Sequence, residues 1–172
     1  EAAMLNQPMP ITVPEVVGVN LKKNIKEGVT ATDLVLSLTN LLRKKNVVGK
    51  FVEFYGEGIK KLSLPDRATI SNMAPEYGAT CGFFPVDNVT INYLKLTARS
   101  NEHINLVKKY LKLQNVFNEK INEKIKFNKK IYFELDKIEP SVAGPKRPQD
   151  LVKLSEISKN FKKNYNLKEE KK

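Results

Sequence analysis

Residues 47–58, with the sequence VVGKFVEFYGEG, contain a β-rich segment that closes on a glycine-containing turn. The segment from Val47 to Tyr55 is dominated by β-branched and aromatic residues, which favour strands. Apolar and polar residues scarcely alternate around Val47 and Val48, and this is typical of a strand that is covered on both faces. The segment therefore predicts a buried strand of a parallel-type sheet.

The segments before this strand supply another strand and a helix. Residues Val16 to Leu21 predict the first strand. Thr30 or Thr32 can cap a helix that runs to about Lys45. The apolar positions of this helix have the spacing of one buried stripe: Leu34, Val35, Leu38, Leu41 and Leu42.

A second helix is predicted after the turn. Ser63 and Asp66 are three residues apart and resemble a capping pair, with Pro65 next to the start of the helix. The helix is expected to run to roughly Ala74. Because Pro75 has no amide proton, it should end or kink the helix and redirect the chain.

Beyond this helix the sequence predicts one short strand and then mostly helical structure. Gly78 permits a turn into an apolar strand from Ala79 to Phe84. Asn88, and then Ser100 or Asn101, can cap the helices that follow.

We expect a three-layer α/β domain over residues 10 to about 128, in which a short, mainly parallel sheet lies between helices. A proline-containing connector precedes it. Residues 131–136 predict the first strand of a following α/β domain, with a proline-containing loop after that strand. The chain is accordingly expected to divide into 1–128 and 129–172, and the lysine-rich end, 159–172, is expected to be frayed or disordered.

The composition limits the classes of function. The net charge of +11 comes from 30 basic residues, of which 26 are lysines, and they are scattered or pooled at the C-terminus. This favours a solvated basic surface over a dedicated nucleic-acid patch. Because Cys81 is the only cysteine, a disulfide framework and a multi-thiolate zinc or iron–sulfur site within the chain are excluded. No apolar run is long enough for a membrane span, so we expect a soluble, cytoplasmic protein, or a mitochondrial one in a eukaryote.

The most informative stretch is residues 66–80, DRATISNMAPEYGAT. Asn72 and Glu76 are four residues apart, so they can share one face near a helix end, and Gly78 lets the backbone approach closely what they point at. From the residues alone, a structural role, namely capping plus a surface carboxylate, is favoured over a catalytic one.

The same stretch closely resembles the aconitase and iron regulatory protein family. Further matching motifs are residues 1–5, 29–36, 49–58 and 144–150, so that the resemblance covers residues 1 to about 112 and 131–154. It implies an internal segment of an enzyme that dehydrates citrate to cis-aconitate and rehydrates it to isocitrate. The enzyme works on a 4Fe-4S cluster with one iron that lacks a protein thiolate.

The resemblance also implies roles for two residues. Asn72 would support the surroundings of the cluster, and Glu76, the catalytic residue, would hydrogen-bond the hydroxyl or water at the open iron. The cluster cysteines and the other active-site groups would come from the remaining aconitase domains, so we expect the isolated chain to be inactive. Cys81 is expected to be a small buried hydrophobe, and His103 a residue of a helix surface.

Two alternatives stay open. The iron regulatory branch binds RNA hairpins, and Arg43, Lys44 and Lys45 at the end of the first helix could contact phosphates, although they would equally suit the negative end of that helix. The large subunit of 3-isopropylmalate isomerase shares the Asn-Met-x-x-Glu core, but residues 77–80 and 144–150 favour aconitase.

The chain departs from the family pattern at three places. Asn6 and Asn46 stand where the family usually has glycine, so the backbone there must accept asparagine, which tolerates left-handed geometry better than most residues do. Residues 113–130 are rich in lysine and asparagine where relatives have a loop with glycine and proline.

Overall fold

The computed structural model describes residues 1–2, 4–117, 125–144, 146–147 and 150–165. Its strands are β1 (Val16–Lys22), β2 (Phe51–Tyr55), β3 (Cys81–Phe83), β4 (Lys129–Glu134), β5 (Ser141–Ala143) and β6 (Leu151–Lys153). Its helices are α1 (Ala31–Lys44), α2 (Leu64–Asn72), α3 (Ala74–Tyr77), α4 (Asn88–Leu96), α5 (Asn101–Leu113) and α6 (Ile157–Asn164). Short 3₁₀ turns cover Glu57–Lys61, Leu135–Lys137 and Leu154–Glu156.

Four of these strands form one parallel sheet in the order β3-β2-β1-β4. Strand β1 lies in the centre, with Val17 opposite Val52 of β2 and Val19 opposite Ile131 of β4. The predicted α/β class with a short, mainly parallel sheet between helices is confirmed.

One face of the sheet carries the hydrophobic core. Every second residue of β1 and β2 is fully buried on this face, and these side chains pack with the apolar stripe of α1. Of the two candidate caps, Thr30 is the one that begins helix α1: its hydroxyl accepts from the amide of Asp33, and the Asp33 carboxylate accepts from the amide of Thr30. This face also takes up α2 and α3 through Ile70, Ala74 and Tyr77.

The other face of the sheet is more polar. It presents Gly18, Asn20, Glu53 and Tyr55. Phe127 lies directly on Gly18, and its ring stacks on Tyr55 with 5.0 Å between centroids. Burial raises the pKa of the Glu53 carboxyl group above its ordinary value.

The second strand is shorter than predicted. Only Phe51–Tyr55 is extended, so the prediction that the strand starts at Val47 and is covered on both faces there was wrong. Val47 is buried, whereas Val48 is 60% exposed. Gly49 has a φ of +71°, and this turn separates the two valines from the strand.

The segment after residue 128 packs on the rest of the chain. Strand β4 pairs with β1, and β5 and β6 form an antiparallel pair that the sequence did not indicate. The Ser141 amide donates to Asp33 at the start of α1 over 2.7 Å. The proposed division into two domains near residue 128 stays a prediction.

The C-terminal part differs in one respect from expectation. Helix α6 covers residues 157–164, including the first part of the segment that was expected to be frayed. Residues 166–172, together with 118–124 of the lysine- and asparagine-rich stretch, lie outside the described residues. Within the part that the structure describes, no helix combines the length and the apolar character that crossing a membrane requires.

The two asparagines that replace family glycines are left-handed, as predicted. Asn6 has a φ of +53° and Asn46 a φ of +52°. We expect Asn46→Gly to change the free energy of unfolding by less than about 0.5 kcal/mol, and Asn46→Val to destabilise by about 1–2 kcal/mol, because a β-branched side chain is strained in this region. Urea denaturation of the two variants tests this, and equal stabilities would contradict it.

Candidate functional site

Helix α2 carries Asn72 at its C-terminal end. It opens with the predicted capping box, in which the Ser63 hydroxyl accepts from the amide of Asp66 and the Asp66 carboxylate accepts from the amide of Ser63 at 3.1 Å. Asn72 is its last residue, and the side chain is exposed.

Glu76 lies on the next helix, α3. The helix is interrupted at Met73, because Pro75 offers no amide to the α2 hydrogen-bond ladder and a new turn must start. Asn72 and Glu76 therefore lie on two short helices on either side of one corner. Glu76 is half-buried, and its Oε2 atom is fully buried without a hydrogen-bond partner among the described residues.

Two other segments of the same chain hold the C-terminal end of α3. Gly78 has a φ of +88°, and its amide donates to Ala74 at 2.9 Å, which ends the helix in a left-handed cap. The amide of Gly49 donates to the Gly78 carbonyl at 3.1 Å. Arg43 Nη1 lies 3.5 Å from the Glu76 carbonyl oxygen, so this guanidinium is directed to the negative end of α3.

The three basic residues at the end of α1 have different surroundings, although all three are exposed. Arg43 contacts α3. Lys44 lines a groove of about 250 Å³ between α1 and the β5–β6 pair. The carbonyl of Lys45 accepts a hydrogen bond from Lys129 Nζ at 2.9 Å. The structure thus brings Arg43, and not Lys44, next to the segment that carries Glu76.

The corner lies at the amino-terminal edge of the sheet. Gly78 is bonded to Gly49, two residues before β2, and the Thr80 amide donates to the carbonyl of Lys50 at 2.9 Å. Open α/β sheets usually bind ligands at the opposite, carboxyl edge. On that side a groove of about 400 Å³ is lined by Asn20, Lys22, Tyr55, Gly56, Glu57, Lys130 and Tyr132, and it contains none of the predicted site residues.

Cys81 and His103 have the surroundings of structural residues. Cys81 is partly rather than fully buried, and burial raises the pKa of its thiol, which disfavours a reactive thiolate. His103 is exposed on α5, as predicted. Across the described residues, no group of three or more His, Cys, Asp or Glu side chains could hold a metal ion.

Two further residues shape the corner, and neither was predicted from the sequence. Tyr77 is fully buried and donates its hydroxyl to the Ile70 carbonyl at 3.2 Å. Arg67 is 1% exposed and forms an ion pair with Asp87 at 3.0 Å. Neither burial could be seen in the sequence, because both residues interrupt the apolar spacing of short, irregular helices.

Comparison with known proteins identifies the class of protein to which this corner belongs. A model of the family described as "Aconitase family (aconitate hydratase)" matches residues 1–172, the whole chain. The chain belongs to the aconitase family.

Individual members of the aconitase family are closely similar. Aconitate hydratase A of Legionella pneumophila is 59% identical over 161 residues, which are 94% of this chain and 18% of the relative. The enzymes of the same name from Pseudomonas aeruginosa and Escherichia coli are 54% and 53% identical over the same shares. This chain thus spans less than a fifth of the length of these relatives.

The side chains at this corner are suited to surround the 4Fe-4S cluster that the aconitase family implies. An exposed carboxamide and a half-buried carboxylate can both contact a group presented from outside this segment. The segment itself has one cysteine, with a raised pKa, so it fits a supporting role and not the role of cluster ligand.

Proposed function

We propose that this chain is the segment of an aconitate hydratase that presents Glu76 and Asn72 to the 4Fe-4S cluster and the substrate. The parent enzyme interconverts citrate and isocitrate through cis-aconitate. The observation that carries the proposal is the position of the two side chains on either side of one corner, with Asn72 exposed and Glu76 only half-buried. Because Glu76 is half-buried, part of its side chain stays accessible to a group that another part of the protein supplies.

The chemistry divides between the cluster and these side chains. When bound, the cluster supplies a Lewis-acidic iron that facilitates departure of the substrate hydroxyl. The Glu76 carboxylate accepts a hydrogen bond from that hydroxyl and from the water that replaces it, and so holds the proton at a defined atom. The Asn72 carboxamide can donate and accept, and it fixes the polar groups around the cluster.

The remaining aconitase domains are the partners of this segment. They supply the cluster thiolates, the proton-transferring base and the groups that bind the substrate carboxylates. The isolated segment is therefore inactive, and the parent enzyme acts in the cytoplasm. We also propose that residue 128 marks the boundary between two domains of the parent, a boundary that falls just before β4 although β4 pairs with β1.

The other functions have weaker support. The similar proteins named above are aconitate hydratases, which favours neither an isopropylmalate isomerase nor an RNA-binding regulator. Arg43 also has a partner inside the domain, the carbonyl of Glu76, so its position is explained without RNA.

Glu76→Gln in the full-length enzyme tests the proposal. Glutamine keeps the size of the side chain but removes the negative charge, so we expect kcat for isocitrate dehydration to fall roughly a hundredfold, as for loss of one proton-transferring or charge-stabilising group. The cluster content, measured as iron and sulfide per protein, should stay within about a fifth of the wild-type value.

A matched control is Glu102→Gln, which neutralises an exposed glutamate in the first turn of α5. It should leave kcat unchanged. Wild-type turnover in the Glu76→Gln enzyme would remove Glu76 from the active site, whereas a matching loss of cluster would assign it to cluster retention.

A further inference from the structure

One buried side chain links α3 directly to α2. The Tyr77 hydroxyl donates to the carbonyl of Ile70 at 3.2 Å, and both groups are buried. Ile70 is in the last turn of α2, where carbonyl groups have no partner within the helix. The bond therefore bridges the end of α2 and the end of α3, and the residues between its two ends include both Asn72 and Glu76.

Apart from the Tyr77 hydroxyl, the hydrogen bonds of α3 go to other parts of the chain, such as Arg43 and Gly49, or stay within its own turn. Met73 ends α2 and begins α3 without a side-chain cap for α3. The amides of Glu76 and Tyr77 both donate to the Met73 carbonyl, at 3.1 and 3.3 Å. These bonds fix α3 internally, but they do not fix α3 relative to the preceding turn of α2. The Tyr77 side chain does so.

Strand β3 supplies the surface against which the Tyr77 hydroxyl rests. A Cβ atom added to Gly82 would lie 2.4 Å from Tyr77 Oη and 3.6 Å from the Cα of Ser71. Real Cβ atoms do not approach an oxygen so closely, so glycine at 82 is what lets the hydroxyl reach Ile70. Tyr77, Gly82 and the end of α2 therefore meet at one close-packed point.

We propose that Tyr77 is a positioning residue of the hydratase: its hydroxyl, seated on Gly82 and bonded to Ile70, sets the orientation of Glu76 relative to Asn72. This rests on the proposed function of the two residues. Tyr77 itself touches neither substrate nor cluster, because its side chain is fully buried. Burial, with Cys81 and Glu76 nearby, raises the pKa of Tyr77 well above its ordinary range, so the hydroxyl stays a donor at every working pH.

Tyr77→Phe in the full-length enzyme removes the hydroxyl alone. We expect kcat to fall about tenfold while KM for isocitrate stays within twofold, because Glu76 and Asn72 act at the reacting hydroxyl and not on substrate binding. In the cluster-free protein, the amides of residues 76–78 should exchange with deuterium about tenfold faster, because the corner opens more often. Val19→Ala, a core change in β1, should lower the melting temperature without either effect.

Gly82→Ala and the double variant separate positioning from stability. Alanine at 82 should displace the hydroxyl, so that both kcat and the melting temperature fall. In Tyr77→Phe/Gly82→Ala, the missing oxygen leaves room for the methyl group, and the melting temperature should recover relative to Gly82→Ala. The value of kcat should nevertheless stay at the Tyr77→Phe level.

Three results would overturn the assignment: wild-type kcat in Tyr77→Phe, unchanged exchange at residues 76–78, or a kcat that recovers with the melting temperature in the double variant. An inactive wild-type parent would instead refute the proposed function. The exchange measurement would still decide whether Tyr77 holds the corner.

Discussion

Gly56→Ala is expected to destabilise the chain by about 3–5 kcal/mol, a large fraction of the roughly 5–15 kcal/mol that stabilises a typical domain. Gly56 has a φ of +105°, where an L side chain is strained by about 1–3 kcal/mol. An added Cβ would also lie 2.5 Å from the carbonyl oxygen of Leu21 and 2.4 Å from Asn20 Oδ1. Because the Leu21 oxygen belongs to the central strand, it cannot move without disturbing the sheet, and such overpacking adds about 1–3 kcal/mol.

Gly28→Ala is the matched control for this prediction. Gly28 has a φ of +82°, but an added Cβ would meet nothing within 4 Å. Gly28→Ala should lower the free energy of unfolding by about 1 kcal/mol, from backbone strain alone. The free energies of unfolding come from urea denaturation followed by circular dichroism. Equal losses in the two variants would show that the approach to Leu21 is irrelevant.

The elements with strong local signals could be predicted from the sequence. The capping pair at Ser63 placed the start of α2 correctly, and Thr30 proved to be the cap of α1 out of the two candidates, Thr30 and Thr32, because a cap is decided by neighbouring residues. The left-handed geometry of Asn46 was predicted from the glycine that the family usually has at this position. Pro75 marked the break between α2 and α3, since a missing amide acts within one turn.

Features that depend on distant partners were not predicted. The strand was expected from Val47, but pairing with β1 begins only at Phe51. The β5–β6 pair has just three residues in each strand, too few for a periodic pattern, and Asp33 of α1 anchors it from more than a hundred residues away. Such contacts are decided by tertiary packing, which a local pattern does not record.

The candidate site shows the same difference between local signals, which could be predicted, and distant contacts, which could not. Sequence reasoning singled out Asn72 and Glu76, but spacing alone left a structural role ahead of a catalytic one. The orphaned Oε2 of Glu76 became visible only in three dimensions. Tyr77, which closes the corner, has no sequence signal, because its hydroxyl is bonded to a backbone carbonyl and not to a side chain.

Asp87→Ala is expected to destabilise the chain by about 4–6 kcal/mol. Asp87 accepts Arg67 Nη1 at 3.0 Å on one oxygen and the amide of Val89 at 2.9 Å on the other, so it neutralises a buried cation and caps α4 at once. Removing the partner of a buried charge costs about 3–5 kcal/mol, and losing an N-cap adds about 1 kcal/mol. Arg67 would keep the carbonyls of Ile59 and Pro85, but its Nε is already buried without a partner.

Arg67 and Asp87 differ in burial, and this difference makes the prediction testable. The Asp87 side chain is 15% exposed, whereas the Arg67 side chain is 1% exposed. Arg67→Met therefore leaves a carboxylate that water and the α4 amides still solvate. We expect this substitution to lower the free energy of unfolding by only about 2 kcal/mol. Asp87→Asn preserves the cap but not the charge, and should fall between the two. If the pair acts as a unit, Arg67→Met/Asp87→Asn should be more stable than the sum of the single losses implies. Additive losses in urea denaturation would show that the buried cation does not depend on Asp87.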